Sequence, residues 1–178
     1  MWEWIAATVQ ASCEHMELML DLGPPTGLSE ALRIAKMIED FGVEIAWWEE
    51  PLSSSDDLES LAELNQGTDL TIAASESEIT SFAIREMLRR KAVGVVQPDL
   101  SWVGGITEGK RIAELCRFWN VPMVLHNWVS SLPDTSVAMR HSIETCRGSR
   151  LMSIDHKFPV SAFLPPKEIG GILAAGDP

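Results

Sequence analysis

The chain has 178 residues, 46% hydrophobic and 22% charged, with glycine and proline together at 22 positions, the composition of an ordinary globular protein with a sizeable core. No apolar run approaches the roughly 18 residues of a membrane-spanning helix, and the opening Met1-Trp2-Glu3-Trp4 has no basic stretch leading into an apolar one, so neither a membrane protein nor a secretory leader is expected. With 14 basic and 26 acidic residues the formal charge is −12, which repels phosphate backbones and excludes nucleic acid as a partner, while suiting a chain that gathers carboxylates around a cation.

Short apolar runs, each ending in a polar residue and followed by a helix-like stretch, recur along the chain. The first run is Glu17 to Asp21, and the amphipathic Leu28 to Phe41 follows it. Leu28, Leu32, Ala35 and Ile38 there recur at helical spacing, and Gly42 supplies a stop. Val43 to Glu50 is the second run, followed by a helix over Asp56 to Asn65 with a cap expected at Ser55 or Asp56. Leu70 to Glu76 precedes a helix over Ser81 to Lys91, and Gly94 to Asp99 precedes one over Thr107 to Trp119. Gly104 and Gly105 read as the tight turn into that last helix. Val121 to His126 is a fifth run, Pro133 to Cys146 another helix, and Arg150 to Asp155 a weaker sixth run. Near-continuous hydrophobicity, rather than alternation, marks strands buried on both faces of a parallel sheet.

Asp21, Glu49, Glu76, Asp99 and His126 follow one another at intervals of 28, 27, 23 and 27 residues, each the length of one strand, one helix and two loops. Such residues at successive strand ends favour the (β/α)8 barrel, the TIM barrel, whose strand ends converge on a single face. A doubly wound sheet presents them mainly at one crevice, and no glycine-rich phosphate loop opens the first unit. About six of eight βα units are present, in a single domain over residues 1–178.

Three carboxylates on adjacent strands, Asp21, Glu49 and Glu76, suit a hard divalent cation held through oxygen, magnesium above all. Glu50 is an alternative to Glu49, because neighbouring residues on a strand point to opposite faces. Asp99 and His126 form a second pair, in which the carboxylate orients the imidazole for general acid–base work. His15, His141 and His156 read as surface or structural residues. Cys13, Cys116 and Cys146 have no zinc spacing and read as small hydrophobes in a reducing compartment, so the cytoplasm is expected.

The strings LMLDLG (18–23), WWEEPL (47–52), AASESEITSFAIRE (73–86), VVQPDLSWVGGITEGKRIAEL (95–115) and VPMVLHNW (121–128) carry a resemblance to the C-terminal barrel domain of the enolase superfamily, mandelate racemase subgroup. Their order and spacing agree with that pattern from about Glu17 to the end of the chain, and the longer strings look most like acid-sugar dehydratases. The resemblance implies magnesium ligands at Asp21, Glu49 and Glu76, and an Asp99–His126 dyad with the histidine as general base or acid. It implies a sugar-acid substrate, removal of the proton α to its carboxylate, a metal-stabilised enediolate and β-elimination of water. A racemase or epimerase of the same superfamily is the alternative within the fold, and a non-catalytic metal-binding fragment the alternative outside it. Trp128, Ser130 and Ser131 are candidates for the sugar pocket, Trp128 equally for packing.

The family's opposing Lys-x-Lys base and its N-terminal capping domain are expected to be absent, because the chain is too short ahead of Asp21 to contain them. Around Met152 and Ser153 the family's usual glutamate is missing. Against the roughly 250 residues of a whole barrel, 178 predict an incomplete one with two raw parallel edges, prone to self-association. This chain alone is expected to bind magnesium weakly and turn over slowly or not at all. The full-length form is expected to be a homo-oligomer.

Overall fold

The computed structural model describes residues 18–22, 26–42, 44–52 and 57–126. Four parallel strands, β1 (Leu18–Asp21), β2 (Ile45–Glu49), β3 (Ile72–Ala74) and β4 (Val95–Val96), lie side by side in sequence order. A helix follows each of them: α1 (Leu28–Phe41), α2 (Leu58–Gly67), α3 (Ser81–Arg90) and α4 (Ile106–Trp119). A fifth position beside β4 is held by parallel bridges from Val96 to Met123 and from Asp99 to His126. Sequential order without a reversal is the wall of a parallel barrel rather than a doubly wound sheet, and the described residues form part of that wall. The expected helix over Pro133 to Cys146 and the run over Arg150 to Asp155 lie outside the described residues.

Local chemistry accounts for the helix boundaries. α1 ends where Gly42 takes φ 66° and returns its N–H to the Glu39 carbonyl, a left-handed stop that costs glycine little. Its buried stripe is Ala31, Ile34, Ala35 and Ile38. Leu28 and Leu32, expected on that face with Ala35 and Ile38, are partly buried and pack against the core. α2 is capped by Asp57, whose side chain accepts from the Ser60 N–H at 3.0 Å, so the helix starts two residues later than the pattern predicts. Thr80 caps α3 in the same way, accepting from the Ala83 N–H. α4 begins after Gly105, at φ 87°, as the glycine pair predicts.

The strands are shorter than the apolar runs that announce them. β3 stops at Ala74 because Ser75 turns to φ 110°, and β4 stops at Val96 shortly before Pro98, which has no N–H for a ladder. Beyond them the chain continues to Glu76 and Asp99 as ordered strand-end loops.

Two apolar layers enclose the sheet. On the outer face Trp48, Ile72, Ala74 and Val96 meet the helices, joined by Leu61, Leu64, Ile84, Met87 and Ile112. On the inner face Trp47, Ala73, Val95 and Val124 form a smaller cluster of their own. Strand alternation sorts adjacent residues such as Trp47 and Trp48 into these two layers, which is why the runs read as continuously hydrophobic. Cys116 lies in the outer layer, 2% exposed, and burial pushes its thiol up to about 12, in keeping with a packing role. Cys13 and Cys146 lie outside the described residues. Among the described residues no helix is long and apolar enough to cross a membrane.

Candidate functional site

The polar residues at the strand ends continue the inner face. Trp47 belongs to the inner cluster, so Glu49, two residues on, points the same way, and the choice between Glu49 and Glu50 resolves to Glu49. One oxygen of Glu49, Oε2, accepts from Trp47 Nε1 at 3.3 Å and from Gln97 Nε2 at 3.0 Å. Asp21 stands opposite Glu49 in the β1–β2 register and is exposed.

Glu76 and His126 meet across the sheet, with Nε2 of the imidazole 2.9 Å from Oε2 of the carboxylate. The other ring nitrogen, Nδ1, lies 3.4 Å from Oδ2 of Asp99. Asp99 is 4% exposed and accepts the Ser101 N–H on Oδ1 at 2.7 Å. A backbone bond from His126 N–H to the Pro98 carbonyl fixes the imidazole's strand beside that of Asp99. The expected dyad is therefore assembled, with Glu76 on the far side of the ring. Glu76 is held above the usual carboxylate range, first by burial; His126 opposes the shift, and the charges of Glu49, Asp21 and Asp99 add to it. Three acids from the ends of three other strands thus act electrostatically on Glu76.

Among the described residues, Glu49, Glu76 and His126 form the group that could hold a metal, with one ligand atom from each within 4.8 Å of the others. The predicted set was Asp21, Glu49 and Glu76. Two of those three converge, His126 joins them, and Asp21 lies alongside Glu49 outside the tight group. The chemistry of the donors fits magnesium: carboxylate oxygens crowded together, with neighbouring charges that help to raise Glu76, suit a hard cation. The imidazole nitrogen suits it less well.

Gln97 and Trp47 escape the motif-based reading although both touch Glu49. Gln97 shares the parity of Asp99 two residues on, as Trp47 shares that of Glu49, and alternation alone puts them on the site's face. Ser75, at φ 110°, also escapes, because nothing in an apolar run announces a left-handed residue. Trp128, Ser130, Ser131, His15, His141, His156, Met152 and Ser153 lie outside the described residues.

The chain is 31% identical over 127 residues to the D-xylonate dehydratase of Haloferax volcanii, covering 70% of this chain and 30% of that one. Among solved structures it is similar to a mandelate racemase/muconate lactonizing enzyme-like protein from Rubrobacter xylanophilus, with a TM-score of 0.70 at 34% identity over 78% of this chain and 34% of that one. It is also similar to the L-talarate dehydratase of Polaromonas sp. solved with Mg and L-glucarate, with a TM-score of 0.67 at 25% identity over 78% of this chain and 37% of that one. The chain spans about a third of the length of the curated relatives it matches. A family model described as enolase C-terminal domain-like matches residues 2–166, and the chain belongs to that family.

Proposed function

We propose that this chain carries the metal-binding and proton-transfer part of a magnesium-dependent dehydratase that acts on sugar acids. The observation supporting this reading is the convergence of Glu49, Glu76 and an Asp99-paired His126 at the ends of successive parallel strands. Asp21, Glu49 and Glu76 would hold the ion. When bound, magnesium supplies the concentrated positive charge that makes a proton beside a carboxylate acidic enough to remove. Trp47 and Gln97 orient Glu49 through Oε2. Asp99, fixed by the Ser101 N–H, orients His126 through Nδ1. Nε2, which faces Glu76 at 2.9 Å without the ion, would be the atom that takes the α-proton or delivers a proton to the departing β-hydroxyl once the Glu76 carboxylate is engaged by magnesium.

The test is a screen of aldonic and aldaric acids with Mg2+ in D2O. Formation of a 2-keto-3-deoxy acid supports the dehydratase, and α-deuterium incorporation without loss of water points instead to a racemase or epimerase. Neither outcome for any acid, together with no detectable Mn2+ or Mg2+ binding by titration calorimetry, would overturn the reading.

A further inference from the structure

Glu50 is a half-buried carboxylate that the proposed reaction does not use. It follows Glu49 at the end of β2 with φ 39°, in the left-handed region, and its side chain reaches towards the end of β3. There Oε1 accepts two successive backbone N–H groups, from Ser75 at 2.7 Å and from Glu76 at 3.1 Å. Successive N–H groups converging on one anion form a nest, and their bonds to an ionised acceptor are stronger than neutral ones. The anion in this nest is one of the chain's own side chains.

The turn held in this way changes which face Glu76 occupies. Ala73 belongs to the inner cluster and Ala74 to the outer layer. If β3 simply continued, Ser75 would face inward and Glu76 outward, towards the helices. Instead Ser75 takes φ 110°, a conformation that residues with a Cβ seldom adopt, and Glu76 comes within 2.9 Å of His126. The Gln97 N–H donating to Ser75 Oγ at 2.9 Å secures the turn from the β4 side, and Glu50 secures it from the β2 side.

We infer that Glu50 is a positioning residue whose carboxylate holds the Ser75–Glu76 turn and so aims Glu76 at the site. Its consequence for metal binding rests on the proposed reading of Glu76 as a ligand, whereas its consequence for the turn does not.

The experiment compares the 178-residue chain with E50L and E50Q by two measurements. Without metal, and at pH 8 or above so that the Glu50 carboxyl is ionised, amide exchange and amide proton shifts of Ser75 and Glu76 are followed by NMR. E50L should speed exchange at both amides by about tenfold or more. E50Q, whose carbonyl accepts the same bonds, should keep them protected but shift both protons upfield as a charged acceptor becomes a neutral one. With Mn2+ as probe, E50L should weaken binding by roughly 10–100-fold. E50Q, whose carbonyl still holds the turn, should recover part of that affinity. Wild-type amide protection in E50L, wild-type Mn2+ affinity in E50L, or an Mn2+ affinity in E50Q no better than in E50L overturns the inference. Should E50L fail to fold, unshifted amides in E50Q overturn it. A wild-type chain that binds no Mn2+ overturns the metal reading alone, and the amide measurements then decide this inference.

Discussion

Gln97 reaches from β4's end past β3 to donate an Nε2 proton to Oε2 of Glu49 at 3.0 Å, while its own Oε1 is buried with no hydrogen-bond partner among the described residues. A buried amide satisfied on one side only is costly to keep in a core, and its side-chain partner among the described residues is a candidate ligand. Replacing it with leucine should therefore affect the site more than the fold. Q97L should weaken Mn2+ binding by roughly 10–100-fold, as loss of a hydrogen-bonding partner behind a ligand does elsewhere, while shifting the urea midpoint little. Calorimetric titration and urea unfolding of the same samples separate the two effects.

His126 lies between Asp99 and Glu76, and the same geometry allows it to act as a base or as a third ligand. H126N distinguishes the roles. The proposed function predicts that H126N retains Mn2+ affinity to within about threefold, a change under 1 kcal/mol, and loses all α-deuterium exchange on any acid that the parent chain exchanges. Loss of Mn2+ binding together with exchange would make the imidazole a ligand.

Asp21 poses the complementary question. It stands opposite Glu49 in register yet lies outside the tight ligand group. As a third magnesium ligand, its conversion to asparagine should weaken Mg2+ binding by about tenfold or more and leave thermal stability of the metal-free chain unchanged or higher, since one of the charges crowding Glu76 disappears. Unchanged Mg2+ affinity in D21N would remove Asp21 from the site.

The sequence carried the fold well because a parallel barrel repeats one physical unit. β3 and β4 are buried on both faces and β2 largely so, which is why Ile45 to Glu49 and Ile72 to Ala74 stand out as apolar runs, and each helix carries its own stop or cap, such as Gly42 or Thr80. Asp21, Glu49, Glu76, Asp99 and His126 could be placed at strand ends because their spacing follows that unit. What escaped was local geometry: the turn at Ser75, the reach of Gln97 past a neighbouring strand, and the use of Glu50 as an anchor. These depend on φ angles and on contacts 25 to 48 residues apart in the chain, which no short-range periodicity encodes.

Burial pushes the Glu50 carboxyl from 4.5 up to about 7, against the lowering effect of its bonds from Ser75 and Glu76. A carboxyl whose folded pKa is raised binds more protons folded than unfolded, so stability falls as pH rises between those values. Burial raises Glu76 in the same direction. The metal-free chain should therefore lose stability on the order of 2–3 kcal/mol between pH 4.5 and 7.5 from Glu50 alone. Added Mg2+ should flatten that slope by neutralising the acids around it. Urea unfolding at a series of pH values, with and without Mg2+, measures both, and E50Q should remove Glu50's part of the metal-free slope.

Cys116 offers a check on the packing of the outer layer that is independent of the site. Its thiol is 2% exposed, among Ile112, Ala113 and neighbouring apolar side chains, and burial pushes it up to about 12. At pH 8 almost no thiolate forms in the folded state, and the thiolate is the reactive species. In a C13S/C146S background, an aromatic disulfide reagent should label Cys116 only as fast as the chain opens, with the rate rising with urea along the unfolding curve. C116S should cost about 1–3 kcal/mol by burying a hydroxyl without an assured partner, and C116A should cost less than C116S. Rapid labelling in the absence of denaturant would show that α4 does not pack onto the sheet as described.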